Sequence, residues 1–269
     1  MTLKVAVAQM GAPYFEKQRN QRKVISMAED ALSRGVQLML FPEGANLGYF
    51  VMDQRRSVKE TYAMALDAAD TPDSPWIGEL RGLAKKGIYI GCGSFLRTAE
   101  DRLVNALLFF SPGGELHIYH KTHPFHVKDV REEDFVVKGD ALTVFHQDAF
   151  DVGLSICYDL NFPEVFRTLA LKGAQIILIA SAWPKNAGAV WDALLPARAI
   201  ENEVCVIACN QTGGDYYGHS KIIDCTGRVR APLEEEEGLA VAEIDLEKQD
   251  KWRRIVTYFN DRRPELYGL

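Results

Sequence analysis

Three side chains carry most of this chain's chemical potential, and each stands where an apolar run gives way to a turn. Cys157 closes the run Val152–Cys157 and is followed at once by the polar and turn-forming stretch Tyr158–Glu164, which contains Asp159, Asn161 and Pro163. A thiol so placed is presented at the C-terminal end of a strand, where open α/β sheets gather their chemistry. Glu43 follows the strand-like segment Val36–Phe41 and Pro42, and Lys121 follows a second short strand ending at Tyr119 and His120. A thiol, an acid and an amine in these settings suggest a cysteine nucleophile served by a carboxylate base and a cationic oxyanion partner.

Each of these residues also has a plainer reading. A strand cysteine more often packs as a small hydrophobe. Cys205 and Cys209 read that way, because a spacing of four puts both on one face of the apolar strand Val204–Cys209. Cys92 and Cys225 have no acid or base context and are taken as structural. Glu43, anchored behind Leu38–Pro42, is expected to be partly desolvated, which raises a carboxyl toward the range useful for a general base. Lys121 is expected to stabilise a developing oxyanion and to favour the Cys157 thiolate. His117, His120, His123 and His126 recur every three residues, like metal ligands. Pro124 interrupts any helix there, and in a strand that spacing sends alternate rings to opposite faces, so no metal site is expected. There is no His-Glu-x-x-His, no Gly-x-Ser-x-Gly, no phosphate loop and no dinucleotide fingerprint. Zincin, serine hydrolase, kinase and dehydrogenase readings fall away in their usual forms.

The elements that must position these groups alternate between strand and helix. Strand Leu3–Gln9 leads to a helix over 16–33 and then to the strand before Glu43. A helical stretch over 58–86, broken at Pro72–Pro75, precedes strands Ile88–Cys92, Leu103–Phe110 and Leu116–His120. Residues 121–140 lack periodicity and read as a long loop. Strand 151–157 follows, then helix Pro163–Lys172, strand Gln175–Ala180, helix Val190–Asn202 and strand Val204–Cys209. Last come a Gly-rich loop over 211–218 and strands near 220–224, 228–231 and 239–244. The reading is α/β, one domain over 1–269, with a mixed sheet or two packed sheets. Apolar residues make up 47% of the 269, enough for a sizeable core, and a net charge of −6 argues against a nucleic-acid partner. No apolar run approaches the roughly 20 residues of a membrane span. The first residues read as a strand, without a secretory leader's apolar core. Five cysteines without a framework spacing fit a reducing, cytoplasmic setting.

Taken together, Phe41–Gly44, His120–Phe125, Gly153–Glu164, Ala197–Asn202 and Gly218–Ser220 resemble, in order and over nearly the whole chain, the nitrilase superfamily of carbon–nitrogen hydrolases. Ser181–Pro184 and Phe259–Tyr267 look like its branch of ω-amidases and related small-amide hydrolases. The resemblance implies a four-layer αββα sandwich, commonly a homodimer, with no metal or organic cofactor. It implies Glu43 as base, Lys121 as oxyanion stabiliser and Cys157 as nucleophile. It also implies a fourth carboxylate in the long loop, eight residues before Asp140, hence Glu132, with Glu133 as its neighbour. Tyr49, Phe125, Tyr158 and Trp183 are expected as aromatic pocket walls by their position near these blocks. Asn161 departs from the branch, where many relatives carry Arg, which puts a dicarboxylate monoamide substrate in doubt. The activity implied is hydrolysis of a small linear carboxamide through a thioester. Nitrile or N-carbamoyl-amine hydrolysis with the same residues is the alternative, and an inactive interaction scaffold is the alternative of another class.

Overall fold

The computed structural model describes residues 1–267, so the last two residues of the expected unit lie outside it. The first half of the chain builds one sheet. Strand β1 (Thr2–Gln9) is followed by helix α1 (Lys17–Ser33), whose buried Asn20, Val24, Ala28 and Ala31 recur at helical spacing. Strand β2 (Leu38–Phe41) leads to α2 (Val58–Ala68) and α3 (Pro75–Ala84). Ser57 caps α2 through a reciprocal box with Glu60, and α3 opens on Pro75, so the break read at Pro72–Pro75 separates two helices. Strands β3 (Tyr89–Arg97), β4 (Leu103–Phe110) and β5 (Leu116–His120) complete this half.

A small hairpin, β6 (His126–Val127) and β7 (Val130–Arg131), lies within the stretch read as a loop; at two residues a strand it is too short to leave a periodicity. The second half continues with β8 (Val144–His146), β9 (Asp151–Ile156), α4 (Pro163–Leu171), β10 (Ile176–Ser181), α5 (Gly188–Asn202) and β11 (Cys205–Asn210). A second hairpin, β12 (Thr212–Gly213) and β13 (Tyr216–Tyr217), precedes β14 (Lys221–Ile223), β15 (Val229–Pro232), β16 (Gly238–Asp245) and α6 (Leu246–Ile255).

Two six-stranded mixed sheets result, ordered β16-β1-β2-β3-β4-β5 and β15-β14-β11-β10-β9-β8. Each has three parallel strands at its centre, β1-β2-β3 and β9-β10-β11, bounded by antiparallel neighbours. Strand β16 belongs to the first sheet although it comes last in the chain. The inner faces meet in one apolar layer, in which Val5, Val7, Leu38, Leu40 and Phe109 lie against Leu154, Leu178 and Ile207. Outside the first sheet, Val24, Ala28, Trp76, Ile77 and Leu80 of α1 and α3 cover Met39, Phe41, Ile90 and Leu108. Outside the second, Phe166, Leu169, Trp191 and Leu195 of α4 and α5 do the same. Helix, sheet, sheet, helix is the αββα order, and it turns the C-terminal ends of β2 and β9 toward one seam.

Candidate active site

Glu43 reaches the seam because Pro42 ends β2 and the backbone is then tied across to the second sheet. The Glu43 N–H donates to the Ser181 carbonyl at 3.3 Å, and its carbonyl accepts from Gln211 Nε2 at 2.7 Å. Gly93 on β3 permits the approach: a Cβ there would lie 2.5 Å from the Pro42 carbonyl oxygen and 2.6 Å from Glu43 Cα. The carboxylate is fully buried. Oε1 accepts from Lys121 Nζ at 2.8 Å and from Asn105 Nδ2 at 2.7 Å, and Oε2 accepts from the Ala182 N–H at 2.9 Å. Burial raises its pKa, as expected from the sequence. Lys121 and Asn105 pull the other way without cancelling it.

Lys121 stands just past β5, and its N–H donates to the Asn105 carbonyl on β4 at 2.9 Å, so strand register places the two side chains together. Its ammonium lies between two carboxylates, 2.8 Å from Glu43 Oε1 and 2.7 Å from Glu132 Oε2, with the Tyr49 ring 5.4 Å away. Burial lowers its pKa, but the charges of Glu132 and Glu43 outweigh that and hold it above the ordinary lysine value. Glu132 begins a short 3-10 turn after β7 and is fully buried, whereas Glu133 is exposed and paired with Arg131 at 2.6 Å. Of the two neighbours, Glu132 is the one at the seam. Its Oε2 also accepts from the Phe125 N–H at 2.6 Å, and its Oε1 from Asn105 Nδ2 at 2.6 Å.

Asn105 was not anticipated. It donates to both carboxylates and closes a ring with Lys121, two donors alternating with two acceptors. Its one signal in the sequence is that it is the only polar residue in the apolar run Leu103–Phe110, and a buried amide in such a strand needs partners.

Cys157 directly follows β9 of the opposite sheet, and its φ of +47° is in the left-handed region that non-glycine residues avoid. Asp159 holds this turn: its Oδ2 accepts from the Ile156 N–H at 2.8 Å and from the Tyr119 hydroxyl at 2.8 Å. The backbone outlier thus coincides with the candidate nucleophile. Burial, then the Glu43 charge, push the thiol's pKa up, and they outweigh the lowering by Lys121. Lys121 thus favours the thiolate, as expected, but burial and Glu43 together outweigh it.

The thiol faces a pocket of about 430 Å³. Tyr49, Phe125, Tyr158 and Trp183 all line it, with Phe125 edge-on to Tyr158 at 5.4 Å and Trp183 held by its indole N–H on the Ala187 carbonyl at 2.8 Å. Asn161 lines it too. Tyr14, Asp215 and Tyr216 are further lining residues that sequence reasoning missed. The hydroxyls of Tyr14 and Tyr216 lie 3.1 Å apart, across 202 residues of chain, and no local pattern announces such a pair. The four histidines disperse. His117 stacks on Phe145, His123 pairs with Asp159 at 2.9 Å, and His120 and His126 are exposed. No group of three or more His, Cys, Asp or Glu placed to hold a metal is found among the described residues. No helix among them is long and apolar enough to cross a membrane.

Comparison with known proteins agrees with this geometry. The family model "Carbon-nitrogen hydrolase" matches residues 4–254. The chain is 33% identical over 271 residues to a deaminated glutathione amidase of Rattus norvegicus, covering 94% of this chain and 80% of that one. It is 37% identical over 194 residues to a 2-oxoglutaramate amidase of Bacillus subtilis, covering 70% and 74%. Among solved structures, an amidase of Nesterenkonia sp. AN1 with acrylamide added at its active-site cysteine superposes with a TM-score of 0.79 at 25% identity, covering 98% of each chain. By fold and by sequence, the chain belongs to the carbon–nitrogen hydrolase family.

Proposed function

We propose that residues 1–269 act as one hydrolase unit, a cysteine-dependent amidase that converts a small linear carboxamide of the ω-amide type to carboxylic acid and ammonia. The observation that carries this reading is the buried ring of Glu43, Lys121, Glu132 and Asn105 set against the Cys157 thiol in the lining of an aromatic pocket. Because Cys157 holds its proton, deprotonation accompanies attack: Glu43 takes the thiol proton as Sγ bonds to the amide carbon. The carbonyl π electrons move to oxygen, where the third N–H of Lys121 and the Tyr158 N–H stabilise them. The tetrahedral adduct collapses, the C–N bond breaks, and Glu43 returns its proton to the leaving nitrogen, giving ammonia and a thioester. Water then attacks the thioester carbon while Glu43 takes its proton, and the second adduct expels sulfur, which recovers that proton from Glu43 as the acid leaves. Glu132 and Asn105 hold Lys121 and Glu43 in register throughout. Each step balances with these groups alone.

Tyr49, Phe125, Tyr158 and Trp183 shape the substrate pocket in this reading. A homodimer in the cytoplasm completes it, consistent with five free thiols. The two relatives named as amidases favour an amide over a nitrile or carbamoyl amine, and a complete site argues against an inactive scaffold. The test is ammonia release from a panel of small amides, nitriles and carbamoyl amines, with Cys157→Ala as control. Release from amides that is lost in the variant is expected. Release confined to nitriles or carbamoyl amines would overturn the amidase reading. Iodoacetamide should label Cys157 ahead of the other four, because it alone of the five lines this aromatic pocket.

A further inference from the structure

The charges around the pocket are one-sided. Its wall includes six aromatic rings, Tyr14, Tyr49, Phe125, Tyr158, Trp183 and Tyr216, and no lysine or arginine. The one carboxylate in the wall besides the buried ring is Asp215, exposed and in no ion pair among the described residues. The Arg55 guanidinium stands 5.9 Å from the centre of the Tyr14 ring, and it, Arg56 and Lys185 are already paired with carboxylates. Arg55 and Arg56 both bind Asp53, at 2.7 and 2.9 Å, and Lys185 binds Glu235 at 2.8 Å. Lys128 is exposed beside Val127, outside the lining set. Asn161 adds a neutral amide. Aromatic faces with a single carboxylate are the surroundings an ammonium favours, through ring quadrupoles and direct attraction. A carboxylate tail would meet ring faces of its own sign and an acid, with no cation in the lining and Arg55 already held by Asp53.

Building on the amidase reading, we infer that the substrate is a linear amide whose far end carries an amine, and that Asp215 with the Tyr14–Tyr216 pair forms the subsite that receives it. The reacting amide sits over Cys157, and the tail lies along the aromatic wall toward Asp215. The tail takes no part in bond-making, so its charge should act on KM more than on kcat.

The test compares three amides of equal length, 6-aminohexanamide, hexanamide and adipamic acid, together with their four- and five-carbon counterparts. At low salt, kcat/KM should be about tenfold higher for the amine tail than for the carboxylate tail, with hexanamide between, as an exposed charge pair reinforced by ring contacts allows. The difference should shrink in 0.5 M salt, about three times the physiological ionic strength, because the carboxylate is exposed. Asp215→Asn should bring the ratio of amine to neutral tail close to one, and Asp215→Glu should keep most of it. Equal or better use of adipamic acid, or a ratio that ignores Asp215→Asn, overturns the assignment and leaves the amidase reading standing. Failure to release ammonia from any amide at any length would instead fall on the amidase reading, and this subsite would go with it.

Discussion

Asn105 is the residue on which the ring closes, and its replacement by alanine separates a positioning role from a merely structural one. The amide donates at 2.7 Å to Glu43 Oε1 and at 2.6 Å to Glu132 Oε1. Glu43 Oε1 would keep Lys121, but Glu132 Oε1 has no other donor among the described residues. A buried carboxylate oxygen left unpaired costs about 1–3 kcal/mol, and a lost bond to a charged acceptor about 1.5–3 kcal/mol. Water entering the vacated space recovers part of this. A net loss of about 2–4 kcal/mol of unfolding free energy is expected, measurable by urea titration.

The effect on catalysis has a different signature. The Asn105 bond is one of the forces holding the Glu43 pKa down against burial. Without it the neutral carboxyl is favoured, so the base is unavailable over a wider range at low pH. The acid limb of kcat/KM therefore moves to higher pH in Asn105→Ala, and loosening of Lys121 and Glu43 lowers the plateau on the order of 10- to 100-fold. Asn105→Asp is nearly isosteric but presents an acceptor to two acceptors, and should be at least as damaging. The assay is ammonia release from a good amide substrate across pH, for the native protein and both variants. A variant that loses stability while its acid limb stays put and its plateau remains within about threefold would refute the positioning role.

Other outcomes follow from the same geometry. In the native protein the acid limb of kcat/KM should lie above the ordinary carboxylate range, because Glu43 must be ionised to act and burial opposes that. Activity is lost as pH falls through the raised Glu43 pKa. It should not decline on the alkaline side before about pH 9, since Cys157 and Lys121 both hold their protons beyond their ordinary values; a pH–rate profile that falls by pH 8 would contradict this. Gly93→Ala should cost about 1–3 kcal/mol and lower kcat more than KM, because the added methyl meets the Pro42 and Glu43 backbone, which cannot rotate away; thermal unfolding and steady-state kinetics check it.

What could be read in advance and what could not divides along a physical line. Glu43, Lys121 and Cys157 were legible because each ends an apolar run with an abrupt change to polar and turn residues, and that change is local. Glu132 came only with the family resemblance, since its surroundings, a 3-10 turn after a two-residue hairpin, have no period to detect. Asn105 left a trace, one amide in an apolar strand, but its purpose depends on the β4–β5 register that sets it beside Lys121. The direction of Lys121's pull on Cys157 was legible, but its size against burial and the Glu43 charge was not, because burial is set by the stacking of the two sheets. Tyr14, Asp215 and Tyr216 were invisible because they come together only when the two sheets stack. The proposed reacting groups and the proposed tail wall are thus set by different parts of the fold. Glu43, Lys121 and Cys157 stand at the ends of strands with buried neighbours on both sides, which holds them to a narrow geometry. Asp215 sits on the β12–β13 hairpin, where a change of residue disturbs little packing. If Asp215 receives the tail as inferred, a fold arranged in this way can alter the tail it accepts without disturbing the bond it breaks, and Asp215 is the position where such a change is least costly.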